Sequence, residues 1–135
     1  MKKGFTLLEL IIVIIILGIL ATLGFTQYTK VVEKGRTGEA KAILGTIRSA
    51  QEAYYLENSA YTATIGNLSV EAPAACTATH YFTYGTTATA ATATRCTSGG
   101  KAPQGPAAYT VTLTFAGQRW GGSAGYIKRF FKIAP

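Results

Sequence analysis

The sequence predicts an α+β fold: a long N-terminal helix with an apolar, protruding front half and an amphipathic second half packed on a small antiparallel β-sheet. Three observations carry this expectation. Leu10 to Thr29 is a run of twenty residues without a charge. Behind it, apolar residues recur at three- and four-residue steps, and later in the chain they alternate with polar ones between glycine-rich breaks. At 135 residues there is room for one modest domain plus one membrane-length segment. Charged residues make up only 14% and hydrophobic residues 48%, crowded into the first thirty positions, which excludes an ordinary water-soluble globule.

The uncharged run, as a helix, is long enough to cross about 30 Å of hydrocarbon. Glu9 stands just before it. A carboxylate costs on the order of 3 kcal/mol at mid-membrane depth, so this one needs a partner. Lys2 and Lys3, the apolar run and Thr22-Leu23-Gly24 also fit a secretory signal cut before Phe25; the length of the run and the acid at its entrance argue against that reading. Further on, Val32, Ala40, Ile43, Leu44, Ile47, Ala50 and Tyr54 mark one face of an amphipathic helix. Asn58-Ser59 followed by Tyr61 reads as its stop. At 1.5 Å per residue, Phe5 to Asn58 would span roughly 80 Å, so the front half must be buried against something else. Gly18, Gly24, Gly35, Gly38 and Gly45 each cost about 1 kcal/mol relative to Ala in a helix. Close helix packing, or a need to bend or melt at Gly18 and Gly24, would account for them.

After residue 59 the signals are for short strands. Ala107 to Phe115 alternates, with Tyr109, Val111, Leu113 and Phe115 on one face and threonines on the other. Tyr126 to Ile133 reads as a second strand and His80 to Tyr84 as a third. Thr86 to Thr94 reads as an Ala/Thr low-complexity stretch between strands, and Ser98 to Gly105 and Gly117 to Gly125 as glycine-rich turns. The expected assembly is a three- or four-stranded sheet on the amphipathic half of the helix. Cys76 and Cys96, with nineteen residues between them, have neither CxxC spacing nor enough His or acid nearby for zinc. A single disulfide is expected, contributing about 3 kcal/mol and placing this part of the chain outside the cytoplasm.

Thirteen bases against six acids give a net charge of +7, and every acid is a glutamate. From Ala72 to Pro135 there are six bases (Arg95, Lys101, Arg119, Lys128, Arg129, Lys132) and no acid. This predicts a positive surface, either simply solvated or facing an anionic partner such as DNA, a polysaccharide or a lipid. Lys128, Arg129 and Lys132, near Trp120, Tyr126, Phe130 and Phe131, are the candidate anion- or DNA-binding residues; core packing of the aromatics is the alternative. Enzyme chemistry is poorly provided for. His80 is the sole histidine and no carboxylate pair follows residue 71, so no triad or glycosidase dyad can be assembled there and no catalytic residue is expected. With no CxxCH, c-type haem is excluded; no cofactor and no metal are expected.

Met-Lys-Lys-Gly followed by Phe5-Thr6-Leu7-Leu8-Glu9 and the apolar run resembles the N-terminal signal of type IV pilins and pseudopilins. The resemblance extends to Leu68 through QEAYYLENSAY at 51–61. It implies a prepilin leader at 1–4 removed by prepilin peptidase between Gly4 and Phe5, and methylation of the new N-terminal phenylalanine, Phe5. It further implies a transmembrane and filament-core half-helix at 5–28, an amphipathic half-helix at 29–58 and a β-sheet head at 59–135. Glu9 of one subunit would pair with the Phe5 amine of a neighbour. The implied partners are further copies in a helical filament, an assembly platform with its ATPase, the inner membrane before assembly, and DNA or a surface ligand afterwards. The implied product is a surface pilus for adhesion, twitching motility or DNA uptake; the alternative is a pseudopilin of a type II secretion system. Two departures stand out. Thr26 occupies a place where many pilins carry proline, and 39 residues follow Cys96, so a C-terminal receptor-binding loop has no clear counterpart. The calcium site of major pseudopilins draws on carboxylates, which this chain lacks after Glu71.

Overall fold

The computed structural model of the chain describes residues 4–101 and 108–123. Helix α1 (Leu7–Asn58) is followed by strands β1 (Phe82–Thr86), β2 (Ala90–Arg95), β3 (Thr110–Thr114) and β4 (Trp120–Gly122), with single 3-10 turns at Ile65–Asn67 and Ala116–Gln118. The fold is α+β. Two compact units make it up, residues 1–34 and residues 35–135, and α1 contributes to both.

Among the described residues of the first unit, helix α1 is the sole regular element, starting at Leu7 after residues 4–6. An 18-residue window of mean hydropathy 2.8 has none of its side chains buried. Its few hydroxyls turn inward on the backbone: Thr22 Oγ1 donates to Ile19 O at 2.8 Å, Thr26 Oγ1 to Leu23 O at 2.9 Å and Thr29 Oγ1 to Thr26 O at 3.1 Å. Each satisfies its polar group locally, which lets threonine sit in an apolar stretch without an outside partner. The helix runs unbroken through Gly18, Gly24 and Thr26.

In the second unit the spacing of apolar residues does what the sequence predicts. Ala40, Leu44 and Ile47 are fully buried at three- and four-residue steps, and they join Phe82, Tyr84, Ala91, Ala93, Val111 and Leu113 in one core. The helix stops at Asn58, where Ser59 takes a left-handed φ of 56°. Its N–H donates to Tyr55 O at 2.8 Å, an αL stop that satisfies a last-turn carbonyl. The returning chain lays Tyr61 between Tyr55 and Phe115, with ring centroids 4.8 and 5.2 Å away.

The sheet is an antiparallel meander in the order β1-β2-β3-β4. In β3 the alternation holds: Val111 and Leu113, with flanking Tyr109 and Phe115, are buried, and Thr110, Thr112 and Thr114 face the other way. The strand expected at His80 to Tyr84 forms two residues later, at Phe82–Thr86. Two expectations fail. The Ala/Thr stretch Thr86 to Thr94 is not a passive connection, since it supplies β2, an inner strand pairing Tyr84↔Ala93 on one side and Ala93↔Val111 on the other. Alanine is a poor strand former in general, but here Ala91 and Ala93 are fully buried in the core shared with α1, where a small side chain lets the helix approach. The tight turn before β2 is built by Thr87, whose Oγ1 accepts from the N–H groups of Thr89 and Ala90, so a hydroxyl holds the turn. Likewise Gly117 to Gly125 is not turn throughout, because Trp120–Gly122 pairs with β3 through Leu113↔Trp120. The strand expected at Tyr126 to Ile133 lies outside the described residues.

Two further features hold the second unit together. Gln51, fully buried on α1, donates through Nε2 to Thr62 O at 2.6 Å and Thr86 Oγ1 at 2.8 Å, and accepts from Thr62 N–H at 3.0 Å. It ties the helix to the loop after it and to the end of β1. Cys76 and Cys96 form the expected disulfide, with Cα atoms 5.8 Å apart. Glycine is required beside it: a Cβ on Gly100 would collide with Cys96 Cβ.

Candidate functional site

The N-terminal tip of α1 carries the residues that the sequence singles out. Helix formation leaves the first N–H groups without intrahelical partners, and Thr6 and Glu9 supply them. Glu9 Oε2 accepts from Thr6 N–H and from Thr6 Oγ1, both at 2.8 Å, while Thr6 Oγ1 accepts from Glu9 N–H at 3.3 Å. This is a reciprocal capping box, with a threonine before the first turn and a glutamate at its third position. The carboxylate also sits where the helix dipole favours a negative charge. Thr6 is the residue sequence reasoning missed, although the T-x-x-E spacing ahead of an apolar run was there to be read. Phe5, next to the cap, is 84% exposed. From this tip to Val31 the large apolar side chains are exposed on every side of the helix.

Within the second unit the polar groups serve the fold. Glu39 Oε1 accepts from Tyr81 N–H at 2.9 Å and from the Tyr84 hydroxyl at 3.2 Å. Burial, and then the Glu39 carboxylate beside it, push the Tyr84 phenol far above its ordinary range. Arg95 corrects the expectation of a uniformly basic surface, because it is only 2% exposed. Its Nη1 donates to Cys96 O at 2.6 Å and Tyr81 O at 3.2 Å. Arg36, Arg95 and Lys101 all lie within 5.0 to 5.7 Å of the Tyr81 ring centroid, and Lys41 within 5.6 Å of the Trp120 centroid, which places cation–π contacts where free charges were expected. His80 Nδ1 lies 2.8 Å from Thr79 Oγ1 in a loop. No group of three or more His, Cys, Asp or Glu side chains suited to a metal occurs among the described residues. The candidate anion-binding residues Lys128, Arg129 and Lys132 lie outside them.

Comparison with known proteins decides the family. Residues 38–118 match the family described as type IV pilin-like G and H, and residues 1–25 match the prokaryotic N-terminal methylation motif. The chain belongs to the type IV pilin and pseudopilin family. Its relatives within that family include the type IV major pilin protein PilA of Myxococcus xanthus, 37% identical over 61 residues covering 45% of this chain and 28% of that protein. The type II secretion system core protein G of Pseudomonas aeruginosa is 38% identical over 63 residues, 47% of this chain and 44% of that protein. The fimbrial protein EcpC of Eikenella corrodens is 39% identical over 62 residues, 46% of this chain and 40% of that protein. The chain thus spans between about a quarter and a half of the length of these curated relatives. The family is one of structural pilin and pseudopilin subunits. For this pilin-family chain, the methylation motif with its apolar helix fits a membrane-anchored precursor that passes into a pilus filament.

Proposed function

We propose that the chain is the structural subunit of a type IV pilus, a helical surface filament, and that it performs no chemistry of its own. The observation that carries this reading is the apolar stretch of α1, exposed on all sides and headed by a single capped carboxylate. In a bilayer such a helix is solvated by lipid; outside it, only other copies can bury so much apolar surface. Cutting between Gly4 and Phe5 removes Lys2 and Lys3, lowers the side-chain charge from +7 to +5, and frees an amine at Phe5 for methylation. Glu9 of one subunit then exchanges part of its cap for the Phe5 amine of a neighbour, so two groups costly to bury neutralise one another and set the stagger between helices. Gly18 and Gly24 are the places where the extracted helix can loosen. A peptidase, a membrane platform and an ATPase are the partners this route requires.

A pseudopilin of a type II secretion system is the second reading, favoured by likeness to the core protein G sequences. The absence of any carboxylate side chain from Ala72 to Pro135 favours the pilus, because an oxygen-ligand calcium site in that stretch would lack its charged ligands. Deleting the gene distinguishes the two. Loss of surface filaments by electron microscopy supports the pilus, whereas loss of exoprotein secretion with filaments intact supports the pseudopilus. A mature N-terminus near Phe25 rather than at methylated Phe5 would overturn both.

A further inference from the structure

Beyond Glu9, the polar side chains of the first unit's helix fall into two groups. Leu10 to Thr26 is a stretch of seventeen residues whose polar side chains are Thr22 and Thr26 alone, and each hydroxyl donates to a carbonyl of its own helix, Ile19 O and Leu23 O. Nothing in that stretch asks for water. Gln27, Tyr28 and Lys30 follow within four residues, and none of the three has a side-chain hydrogen bond or ion pair among the described residues. An amide or ammonium left in hydrocarbon without a partner is costly, so these groups belong where water or lipid headgroups can reach them.

Length fixes the other boundary. Glu9 and Gln27 are eighteen residues apart, about 27 Å along a helix, close to the roughly 30 Å of a bilayer's hydrocarbon. With Gln27 at one edge of the hydrocarbon, Glu9 reaches the opposite edge, its carboxylate still accepting from Thr6 N–H and Thr6 Oγ1 at 2.8 Å. A ring of groups at a bilayer boundary has to reach out on all sides, and at about 100° per residue Phe25, Gln27, Tyr28 and Lys30 leave α1 in four different directions. Phe25 and Tyr28 are 69% and 66% exposed. Aromatic rings with a polar edge are enriched at this depth, and the long stem of a lysine lets Lys30 carry its ammonium out to the phosphates.

We infer that Gln27, Tyr28 and Lys30, with Phe25 on their apolar side, form a collar that binds phospholipid headgroups. In the membrane-anchored precursor these side chains donate to phosphate and ester oxygens of the leaflet through which the chain leaves the bilayer, and so hold Glu9 at the boundary of the opposite leaflet. This rests on the membrane-anchored reading of α1 and adds its depth. The acid then stands at an interface before assembly, not at mid-membrane, and is buried only among other copies. The Gly4–Phe5 bond lies beyond it, outside the hydrocarbon, where the water that a peptide cut consumes is at hand.

The full chain in vesicles of phosphatidylethanolamine and phosphatidylglycerol supplies the test. Cys76 and Cys96 are joined, so a nitroxide attaches only to an introduced thiol, at L17C, L23C or T29C in separate chains, and its collisions with oxygen and with a nickel chelate report its depth. L17C is expected to be the deepest, L23C to lie within the hydrocarbon and T29C among the headgroups. Replacing the collar by leucine, Q27L/Y28L/K30L, lengthens the apolar run and is expected to draw the T29C label inward by about one turn, roughly 5 Å. A T29C label as deep as that at L23C in the otherwise wild-type chain, or one that the three leucines do not move, overturns the collar. If that chain nevertheless stays with the vesicles through an alkaline wash, the membrane anchor stands without the collar; a chain that washes off sinks both.

Discussion

Helix α1 contains two regions under opposite conditions. From Leu7 to Val31 the large apolar side chains are exposed, whereas between Ala40 and Gln51 four side chains, Ala40, Leu44, Ile47 and Gln51, are completely buried. The second region has a partner in its own chain: the sheet supplies Phe82, Ala91, Val111 and Leu113 to meet it. The first has none. Leucine and isoleucine make up twelve of the twenty-five residues from Leu7 to Val31 and three of the twelve from Ala40 to Gln51, and in the second region polar residues alternate with the apolar ones around the helix. An amphipathic stripe is satisfied by one face of one sheet, while a helix apolar all round needs neighbours on every side.

Substitutions that act on one region and spare the other test this contrast. The largest effect is expected at Leu44, where truncation to alanine removes a fully buried side chain and should destabilise the second unit by about 3 kcal/mol or more. Leu17→Ala, at a position 58% exposed, should leave thermal unfolding of the same detergent-solubilised chain unchanged; equal losses from both would erase the distinction. Breaking the Cys76–Cys96 link, by Ser at both positions, should lower stability by about 3 kcal/mol in the chain-entropy view, read as an earlier melt that reductant no longer shifts. Gln51→Leu takes the Gln51 amide from the Thr62 N–H and the Thr62 carbonyl and should cost about 2 kcal/mol, visible as faster amide exchange at Thr62.

The Tyr84 hydroxyl gives the same unit a pH dependence. Its folded pKa is raised, so its contribution is fully present below the unfolded value of about 10 and falls away as pH rises past it. Stability should drop by about 1.4 kcal/mol between neutral pH and pH 11 from this group. Tyr84→Phe should flatten that limb; Tyr61, also raised, by burial and then by Glu52, leaves a remnant. The smallest effect belongs to the other region. Thr6→Val removes the hydroxyl of the cap and should cost about 1 kcal/mol, confined to amide exchange in the first turn of α1.

The helix, its stop at Asn58 and its buried stripe were legible because their signals are local: a 3.6-residue period, an uncharged run, a polar break. Tyr109 to Phe115 was legible for the same reason, with a clean period of two. What escaped reading depended on partners distant in the chain. Ala91 and Ala93 look like filler until the core they share with α1 explains their size. Gln51 looks like a solvent-facing helix residue until Thr62 and Thr86 arrive beside it. Arg95 counts as a surface charge until its guanidinium is seen against two backbone carbonyls. At the helix tip, Phe5 and Glu9 stand out in the motif, whereas Thr6 does so only when its hydroxyl is seen against the Glu9 carboxylate. The proposed pairing of Glu9 with a neighbour's Phe5 is intermolecular by nature, so no single chain can display it.

The hydroxyls of Thr22, Thr26 and Thr29 spend their hydrogen bonds on carbonyls one turn back in their own helix. In the filament proposed above, these three hydroxyls offer no polar tooth to the next rod, and dispersion contacts between aliphatic surfaces change little when one rod slips by a residue or two. On that proposal axial and rotational position is left to the tip and to the heads, so the centre of the filament can yield under tension without any bond in it being broken.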